Sequence, residues 1–375
     1  MAKEPSEMKL TDQAIADLRA QIGSEFNSKD GLHLEEASKD AIRHWAHATG
    51  DLDPKWIDAE YAATTRFGEI TAPPSMLYGF DMRAIGSRQG MPGVHSFFGG
   101  GVHEWYLPIR RNDQISLKVI LKDVVEKESS FAGRMVKQIS EVTFTNQRGE
   151  VVAKSWPYGM RTERSKGKEK GKYNALELAQ YTPEDIESIS RKFEAEPALV
   201  RGAEPRYWED VQVGDVLGAL TRGPWTSTVS INFILAHGGM FVMSHAYWYE
   251  FLRRHPRAGL INEQGIPEGP VRGHWDSNFA RSIGVPAAYD YGPERISWLS
   301  TICTYWCGDD GWLDSMDVEI RRFNLVGDLT TVSGEVTEKQ MVDGKGKVVC
   351  KLKATDQRDQ VTATATVTIT LPLKS

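Results

Sequence analysis

The sequence predicts an α+β protein in which one structural unit occurs twice. In each half of the chain a helical pattern precedes several segments in which polar and apolar residues alternate, and such alternation is typical of half-buried antiparallel strands. Short motifs also recur in the same order in both halves, which indicates an internal duplication. Long strands that follow helices predict a sheet wrapped around a helix.

The repeat rests on four pairs of motifs that keep their order along the chain. Any one match can arise by chance, but four matches in register indicate two copies of one unit. The pairs are residues 40–51 (DAIRHWAHATGD) with 228–239 (TVSINFILAHGG), 56–62 (WIDAEYA) with 274–280 (HWDSNFA), 112–113 (ND) with 327–328 (GD), and 145–153 (TNQRGEVVA) with 355–363 (TDQRDQVTA).

Each half is predicted to contain a helix, an irregular segment, a second and longer helix, and then strands. In the first half the alternating segments are residues 115–125 and 135–145. In the second half Gly292-Pro293 opens the longer helix, which continues through ISWLSTICTYW, because proline favours the first turn of a helix. The strands that follow it are residues 330–337, 348–355 and 361–371.

A hydrophilic segment separates the two copies. Residues 164–172 (RSKGKEKGK) contain no apolar side chain, so they are predicted to form a solvated connector. Thr182-Pro183, followed by two acidic residues, is typical of a helix start. The predicted domains are residues 1–163, a connector with a helix over 164–204, and residues 205–375 with an insertion at 240–273.

The composition argues against several classes of protein. The 375 residues carry a net charge of −6, which argues against a basic nucleic-acid-binding protein. No segment has the roughly 18 consecutive apolar residues that span a bilayer, and the charged N-terminus has no apolar signal-peptide core. We therefore expect a soluble, cytoplasmic protein. The three cysteines cannot form a disulfide framework and lack zinc-site spacing, so core packing is their expected role.

Two groups of motifs resemble the MaoC-like hydratase/dehydratase family of the double hotdog type. The segment RHWAHATGDLDPKWIDAEYAATTRFGEITAPPSML of the first half is similar to the dehydratase-type N-terminal domain of that family. The segments RYWEDVQVGD, GHWDSNFARSIGVPAAYDYG and RRFNLVGD of the second half are similar to its MaoC domain. The resemblance extends over most of residues 35–372. It implies a tandem hotdog fold, in which each half is a long antiparallel sheet wrapped around a central helix.

The same resemblance implies a carbon–oxygen lyase that adds water to 2-enoyl-CoA thioesters or removes it from 3-hydroxyacyl-CoA thioesters. CoA is then the substrate carrier, and neither a metal nor a redox cofactor is expected. The reaction needs a base for the water, an acid for Cα and hydrogen-bond donors for the enolate oxygen. In the family an Asp and a His in the pattern D-x-N-P-x-H orient the water. A backbone N–H at the start of the central helix polarises the thioester carbonyl.

The first half keeps only part of this motif. Asp51 occupies the position of the family's Asp, but Trp56 stands at the His position and cannot act as a base. Pro74 stands at the position of the carbonyl-polarising glycine and has no N–H to donate. The first half is therefore predicted to be non-catalytic, and Asp51 is a site candidate only if the two half-sites meet.

The second half keeps the other part. His274 occupies the family's His position. Gly292 occupies the oxyanion position at the start of the longer helix, where unpaired N–H groups favour negative charge. The Asp is lost, because Gly239 aligns with Asp51 and the insertion separates Gly239 from His274. The active site is predicted to lie in this half.

Three acidic residues are candidates to replace the lost Asp. We favour Asp290, just before the oxyanion glycine, and the equal alternative is that it pairs with Arg295 or Arg321. Glu268 is nearer in sequence to the missing Asp. Asp276 repeats an aspartate of the first half and is more simply a helix cap.

Aromatic and histidine side chains lie in or near the insertion. His237 and His245 could contribute to the site, although nothing in their spacing requires it. The aromatic residues either line a pocket for a bulky acyl group or pack as core. They are Tyr247, Trp248, Tyr249 and Phe251. We expect a bulky or branched acyl group, processed in a catabolic pathway.

Two other functions remain open at this stage. The split motif is also compatible with a catalytically silent thioester-binding subunit, which would assemble with a second MaoC-like subunit that carries the intact motif. Hotdog folds also host thioester hydrolysis, so a thioesterase is a further alternative. Because hotdog sheets commonly associate edge to edge, a homodimer is the expected assembly of the enzyme itself.

Overall fold

The structure is a computed structural model that describes most of the chain. The described residues are 10–26, 33–85, 91, 94–129, 133–162, 177–238, 242–256 and 258–374. The predicted connector of residues 164–172 and Gly239 lie outside them. The helices are α1 (Asp12–Arg19), α2 (Lys39–Thr49), α3 (Pro54–Ile57), α4 (Ala59–Thr64), α5 (Leu77–Phe80), α6 (Pro183–Ala195), α7 (Ser227–His237), α8 (His245–Arg254), α9 (Ser277–Ser282) and α10 (Gly292–Cys307). The strands are β1 (His95–Trp105), β2 (Ser116–Ser129), β3 (Gly133–Thr145), β4 (Val151–Thr162), β5 (Val216–Arg222), β6 (Leu260–Ile261), β7 (Pro267–Glu268), β8 (Trp312–Ile320), β9 (Thr330–Val342), β10 (Lys345–Asp356) and β11 (Val361–Leu371).

Nine strands form a continuous sheet in the order β2-β3-β4-β1-β8-β11-β10-β9-β5. Four of these strands come from the first half of the chain and five from the second. The halves meet where β1 pairs antiparallel with β8, with Gly100 opposite Glu319 and Glu104 opposite Ser315. Two antiparallel half-sheets, joined edge to edge and packed against helices, have the predicted α+β double hotdog architecture. That prediction is confirmed.

The junction between the half-sheets depends on a glycine. Gly100 has a φ of 120°, a conformation that residues with a Cβ rarely adopt. A Cβ at this position would also lie 2.0 Å from the carbonyl oxygen of Val318 on β8. The two strands can therefore approach each other only because position 100 has no side chain.

Helix α10 is the central helix of the second half. It begins after Tyr291 with Gly292 and Pro293, and it ends at Gly308, whose φ is 70°. Every residue from Pro293 onwards in this helix is buried, and it packs against all five strands of its half-sheet. Proline at the first turn is the start signal predicted from the sequence, and glycine after the last helical residue is a common stop signal. The three cysteines are free and buried, as predicted.

Among its described residues, the first half has no equally long central helix. Its counterpart consists of two short 3-10 segments, Pro74–Met76 and Met82–Ile85, on either side of the four-residue α5. Asp81 interrupts the helix with extended backbone angles (φ −157°, ψ 141°), and a helix continues only while successive residues stay in the αR region. The expectation of a longer second helix therefore holds for the second half alone.

The repeat seen in the sequence appears in the structure as the same set of hydrogen bonds in each half. In each half a buried aspartate accepts hydrogen bonds from a Gln-Arg pair. The two sets are Asp113 with Gln147 (3.0 Å) and Arg148 (2.9 Å), and Asp328 with Gln357 (2.9 Å) and Arg358 (2.6 Å). Because these aspartates and Gln-Arg pairs are the motifs that recur in the sequence, the contacts support the alignment of the two halves.

Helices α2 and α7, which are also equivalent in the repeat, pack against each other. Trp45 of α2 lies 5.6 Å, between ring centroids, from Phe233 of α7, and these two residues align in the repeat. The same contact places the Trp45 ring 6.3 Å from that of His237. Side chains from the first half therefore bury the end of a second-half helix.

The insertion contains α8 and the β6–β7 hairpin. Trp248 stacks on Phe251, with 5.7 Å between ring centroids, and donates a hydrogen bond to the carbonyl of Pro267. Tyr247 and Tyr249 are exposed. The contacts therefore favour the core-packing alternative for Trp248 and Phe251 alone.

Candidate active site

His274 is the last residue of a 3-10 helix, Pro270–His274, at the end of the insertion. Its Nδ1–H donates a hydrogen bond of 2.7 Å to the carbonyl oxygen of Tyr289. Because a carbonyl oxygen can only accept, Nδ1 carries the proton and Nε2 is left with a free lone pair. The imidazole also stacks on the Tyr291 ring, with 3.7 Å between centroids. The ring of a possible base is thus fixed in one tautomer and one orientation.

The surroundings keep His274 neutral. Burial lowers its pKa to about 4, although hydrogen bonds to the backbone of Tyr289 and Asp290 oppose the shift. A group with this pKa is unprotonated at neutral pH. His274 is therefore ready to accept a proton at Nε2.

Gly292 is the first residue of α10. The ring of Phe98, from β1 of the first half, lies so close that a Cβ at position 292 would be 2.3 Å from its nearest carbon. N–H groups in the first turn of a helix have no partner within the helix, so they favour a negatively charged oxygen. The site therefore combines a helix start of the second half with a wall from the first half.

Asp290 makes a buried ion pair with Arg295. Its Oδ2 lies 2.7 Å from Nε of Arg295, and its Oδ1 accepts a hydrogen bond of 3.0 Å from Nη2. Burial raises the pKa of Asp290, and the guanidinium of Arg295 opposes this rise. Both carboxylate oxygens contact Arg295, so these contacts favour the ion-pair alternative over a free acid.

His237 and Tyr291 are polar residues of this site that the sequence did not single out as essential. His237, at the end of α7, is 1% exposed, and neither of its ring nitrogens has a hydrogen-bond partner. The buried hydroxyl of Tyr291 also has none, and the two rings are 6.0 Å apart. Burial lowers the pKa of His237 to about 3, so it is neutral. Since buried polar groups are rarely left without partners, these atoms can take hydrogen bonds from a water or a substrate.

No single residue spacing predicts this role of His237. Its burial comes from the α2 helix of the other half, and only the alignment of α2 with α7 could have suggested it. His245, the other histidine that was a candidate from the sequence, lies at the exposed start of α8.

Asp51 lies apart from the other predicted site residues. Its carboxylate accepts hydrogen bonds from the Thr301 hydroxyl (3.2 Å) and from the backbone N–H of Asp53 (3.1 Å). Thr301 comes nine residues after Gly292 in α10, which is about 13 Å along a helix. Burial, followed by the charge of Asp53, raises the pKa of Asp51 to about 7. The structure thus brings His274, Asp290 and Gly292 together, but not Asp51.

The other two acidic candidates have structural contacts. Asp276 is the N-cap of α9 and accepts hydrogen bonds from the backbone of Asn278 and Phe279, so its predicted role as a helix cap is confirmed. Glu268 forms an ion pair of 3.0 Å with Arg272. Neither carboxylate is free to replace the lost motif acid.

A cleft that is partly open to solvent lies beside the first-half motif positions, where they meet the end of α10 and the start of β8. Its lining includes Trp56 and Pro74, which occupy the His and glycine positions of the motif, together with the end of α10 at Thr304 and Cys307. It is therefore the first-half counterpart of the site around His274. An indole is no base and proline has no N–H, so the chemistry of the cleft does not support catalysis there.

Two further properties concern the described residues as a whole. Within them, no group of three or more His, Cys, Asp or Glu side chains is arranged to hold a metal ion. None of the helices in those ranges is both long enough and apolar enough to cross a membrane.

The chain thus combines a double hotdog sheet with a histidine and a helix start in its second half. Residues 20–155 match the family described as "FAS1-like, dehydratase domain region". The resemblance to MaoC-like proteins of the double hotdog type, predicted from the sequence, is confirmed.

Curated relatives match parts of the chain. A UPF0336 protein of Streptomyces griseus is 27% identical over 109 residues, which cover 28% of this chain and 70% of that protein. A protein of Thermomonospora curvata named "Probable enoyl-CoA hydratase alpha subunit" is 28% identical over 131 residues. That match covers 30% of this chain and 40% of the relative.

Solved structures share the fold over nearly the whole chain. A "MaoC-like dehydratase" aligns with a TM-score of 0.66 at 18% identity, covering 95% of this chain and all of that one. A conserved hypothetical protein of Mycobacterium tuberculosis with a double hotdog fold aligns with a TM-score of 0.59 at 12% identity. The second alignment covers 95% of this chain and 97% of the other.

Proposed function

We propose that the protein is a hydratase/dehydratase that adds water to a 2-enoyl-CoA thioester or removes it from a 3-hydroxyacyl-CoA. The observation that carries the proposal is the pairing of a neutral His274, whose Nε2 is free, with the start of the buried α10 at Gly292. The relative named as an enoyl-CoA hydratase subunit and the MaoC-like dehydratase neighbour support the same reaction class.

In the hydration direction, Nε2 of His274 takes a proton from water while the water oxygen bonds to Cβ of the enoyl group. The electron pair of the double bond moves onto the thioester oxygen, which becomes an enolate. The N–H of Gly292 stabilises that charge, because the start of α10 favours an anion. The enolate then collapses, and Cα takes the proton back from the His274 imidazolium. Dehydration is the reverse sequence.

The other polar groups have supporting roles in this proposal. The unpartnered atoms of His237 and Tyr291 hold the reacting water. The ion pair between Asp290 and Arg295 fixes the start of α10, and with it the Gly292 N–H. In this mechanism the protons move only between His274, the reacting water and the substrate. CoA is part of the substrate.

The dependence of kcat/KM on pH tests the base. Because the pKa of His274 is lowered to about 4, kcat/KM is expected to stay constant from neutral pH to about pH 5. Below about pH 4 it falls about tenfold per pH unit, as the base becomes protonated. The measurement is the initial rate of enoyl-CoA hydration, with circular dichroism at each pH to show that the protein is still folded. A midpoint near the ordinary histidine value of about 6.5 would contradict this description of His274.

The acyl group can be identified with a series of thioesters. We propose a bulky or branched acyl group from a catabolic pathway, and the series therefore runs from crotonyl-CoA to branched and cyclic 2-enoyl-CoA substrates. Loss of the conjugated double bond measures hydration, and release of free thiol measures the thioesterase alternative. A chain that hydrates no member of the series but releases thiol is a thioesterase.

The name of the Thermomonospora relative favours a second candidate, a subunit of a heteromeric hydratase. A purified chain that is active alone and elutes as a homodimer in size-exclusion chromatography supports the first proposal. A chain that is inactive alone, and becomes active with a MaoC-like subunit that carries the intact motif, supports the second.

A further inference from the structure

The first-half cleft has walls suited to an apolar ligand. Three tryptophan rings line it, together with a cluster of prolines and aliphatic side chains. Two of these tryptophans have their N–H groups satisfied by backbone carbonyls. Trp105 donates to Pro74 (2.9 Å), and Trp312 donates to the carbonyl of Trp105 (3.1 Å).

Trp56, the third tryptophan, is different. It is 4% exposed, and its indole N–H has no hydrogen-bond partner. It is the only tryptophan in the described part of the chain whose indole nitrogen is buried without a partner. Since a buried indole N–H usually finds an acceptor, this donor indicates that the cleft takes a ligand with an acceptor atom.

The charges beside Trp56 show which acceptor fits. The buried Lys55 ammonium lies 2.9 Å from the Asp53 carboxylate and 3.5 Å from that of Asp309. The Lys55 ammonium, which lies 4.8 Å over the Trp56 ring, is thus already paired with two carboxylates. A carboxylate ligand would find no unpaired positive charge among these three side chains and would be costly to bury, whereas a neutral carbonyl oxygen needs only a hydrogen-bond donor.

We propose that the first-half cleft binds a neutral carbonyl compound with an apolar body, whose oxygen accepts a hydrogen bond from the Trp56 indole N–H. The cleft binds this compound without converting it, because Trp56 and Pro74 have replaced the base and the N–H donor of the motif. This site is separate from the one at His274, and it holds whether or not the proposed hydratase activity is correct.

Tryptophan indole NMR with 15N-labelled protein tests the proposal in the full chain. The probes are acetophenone, ethylbenzene, which has a similar body without the acceptor, and benzoate, which carries a negative charge. Acetophenone is expected to shift the Trp56 indole resonance in a saturable way. Ethylbenzene is expected to bind about fivefold more weakly or worse, because one hydrogen bond contributes roughly 1 kcal/mol. Benzoate is expected to bind at least as weakly as ethylbenzene, because its charge would be buried without an unpaired cation. Equal binding of all three probes, or no saturable shift at Trp56, would overturn the proposal.

Three variants test whether the indole resonance that shifts with acetophenone belongs to Trp56. Trp56→Phe identifies the resonance by its loss and is expected to weaken acetophenone binding about fivefold. Trp156→Phe is the matched control, since Trp156 donates to Glu141 on the sheet and does not line the cleft. His274→Ala separates the two sites and should leave acetophenone binding unchanged. Loss of binding in the His274 variant, or unchanged binding in the Trp56 variant, contradicts the assignment. The comparison of probes on the wild-type protein needs no variant to fold.

Discussion

Replacement of His274 by alanine is expected to lower kcat/KM for enoyl-CoA hydration by about 10²- to 10⁴-fold, the usual contribution of a positioned acid–base group. The reason is specific to its environment. The Tyr289 carbonyl fixes the proton on Nδ1, and burial keeps the ring neutral, so alanine removes the only base assigned to the water. The measurement is the initial hydration rate with the best thioester of the series.

Two control variants separate basicity from folding. His274→Asn still offers an amide N–H at about the position of Nδ1 to the Tyr289 carbonyl but has no basic nitrogen, so it should fold and be as inactive as the alanine variant. His44→Ala changes an exposed histidine of α2 and should keep the wild-type rate. If His274→Ala hydrates the substrate at the wild-type rate, the proposed mechanism is wrong.

The substitution Asp290→Asn is expected to destabilise the protein by about 3–5 kcal/mol, the cost of leaving one partner of a buried ion pair without the other. The side chains of Arg295 and Asp290 are 2% and 0% exposed, so the unpaired guanidinium would have no water around it. Denaturant unfolding measures the change. Glu319→Gln is the matched control, because it breaks an exposed pair with Arg321 and should cost less than about 1 kcal/mol.

The double variant Asp290→Asn/Arg295→Met distinguishes a structural ion-pair role of Asp290 from a role as the catalytic acid. Removing both charges avoids a buried guanidinium without its carboxylate, so this variant should recover part of the lost stability. The recovery is incomplete because methionine cannot replace the hydrogen bonds that Nη1 of Arg295 donates to the carbonyls of Arg322 and Thr362. If Asp290 only positions the start of α10, the folded double variant should keep turnover within about tenfold of the wild type. Loss of a general acid would lower turnover by more, by at least about 10²-fold. A stable double variant that has lost turnover about 10²-fold or more would show that Asp290 is the acid after all.

Local patterns in the sequence were sufficient for much of the fold. The recurring Gln-Arg pairs and the aspartates that they contact lie within short motifs, so the duplication could be recognised without coordinates. The start of α10 followed from Gly292-Pro293. His274 was predicted from its place in a family motif, and the structure provides its tautomer and its pKa.

The remaining features depend on contacts between distant parts of the chain. Phe98 reaches Gly292 only because β1 pairs with β8, and His237 is buried by the α2 helix of the other half. The interruption at Asp81 depends on backbone angles that no local signal identified. The sequence left the role of Asp290 open between two alternatives, because side-chain geometry decides whether a carboxylate and a nearby guanidinium meet.

The central claim is that catalysis belongs to one half of a duplicated fold. The most direct test is a crystal structure with butyryl-CoA, a saturated thioester that cannot be hydrated. We predict that its carbonyl oxygen lies within hydrogen-bond distance of the Gly292 N–H, with Cβ next to Nε2 of His274. A thioester bound only in the first-half cleft, with its carbonyl beside Trp56 and Pro74, would contradict the claim.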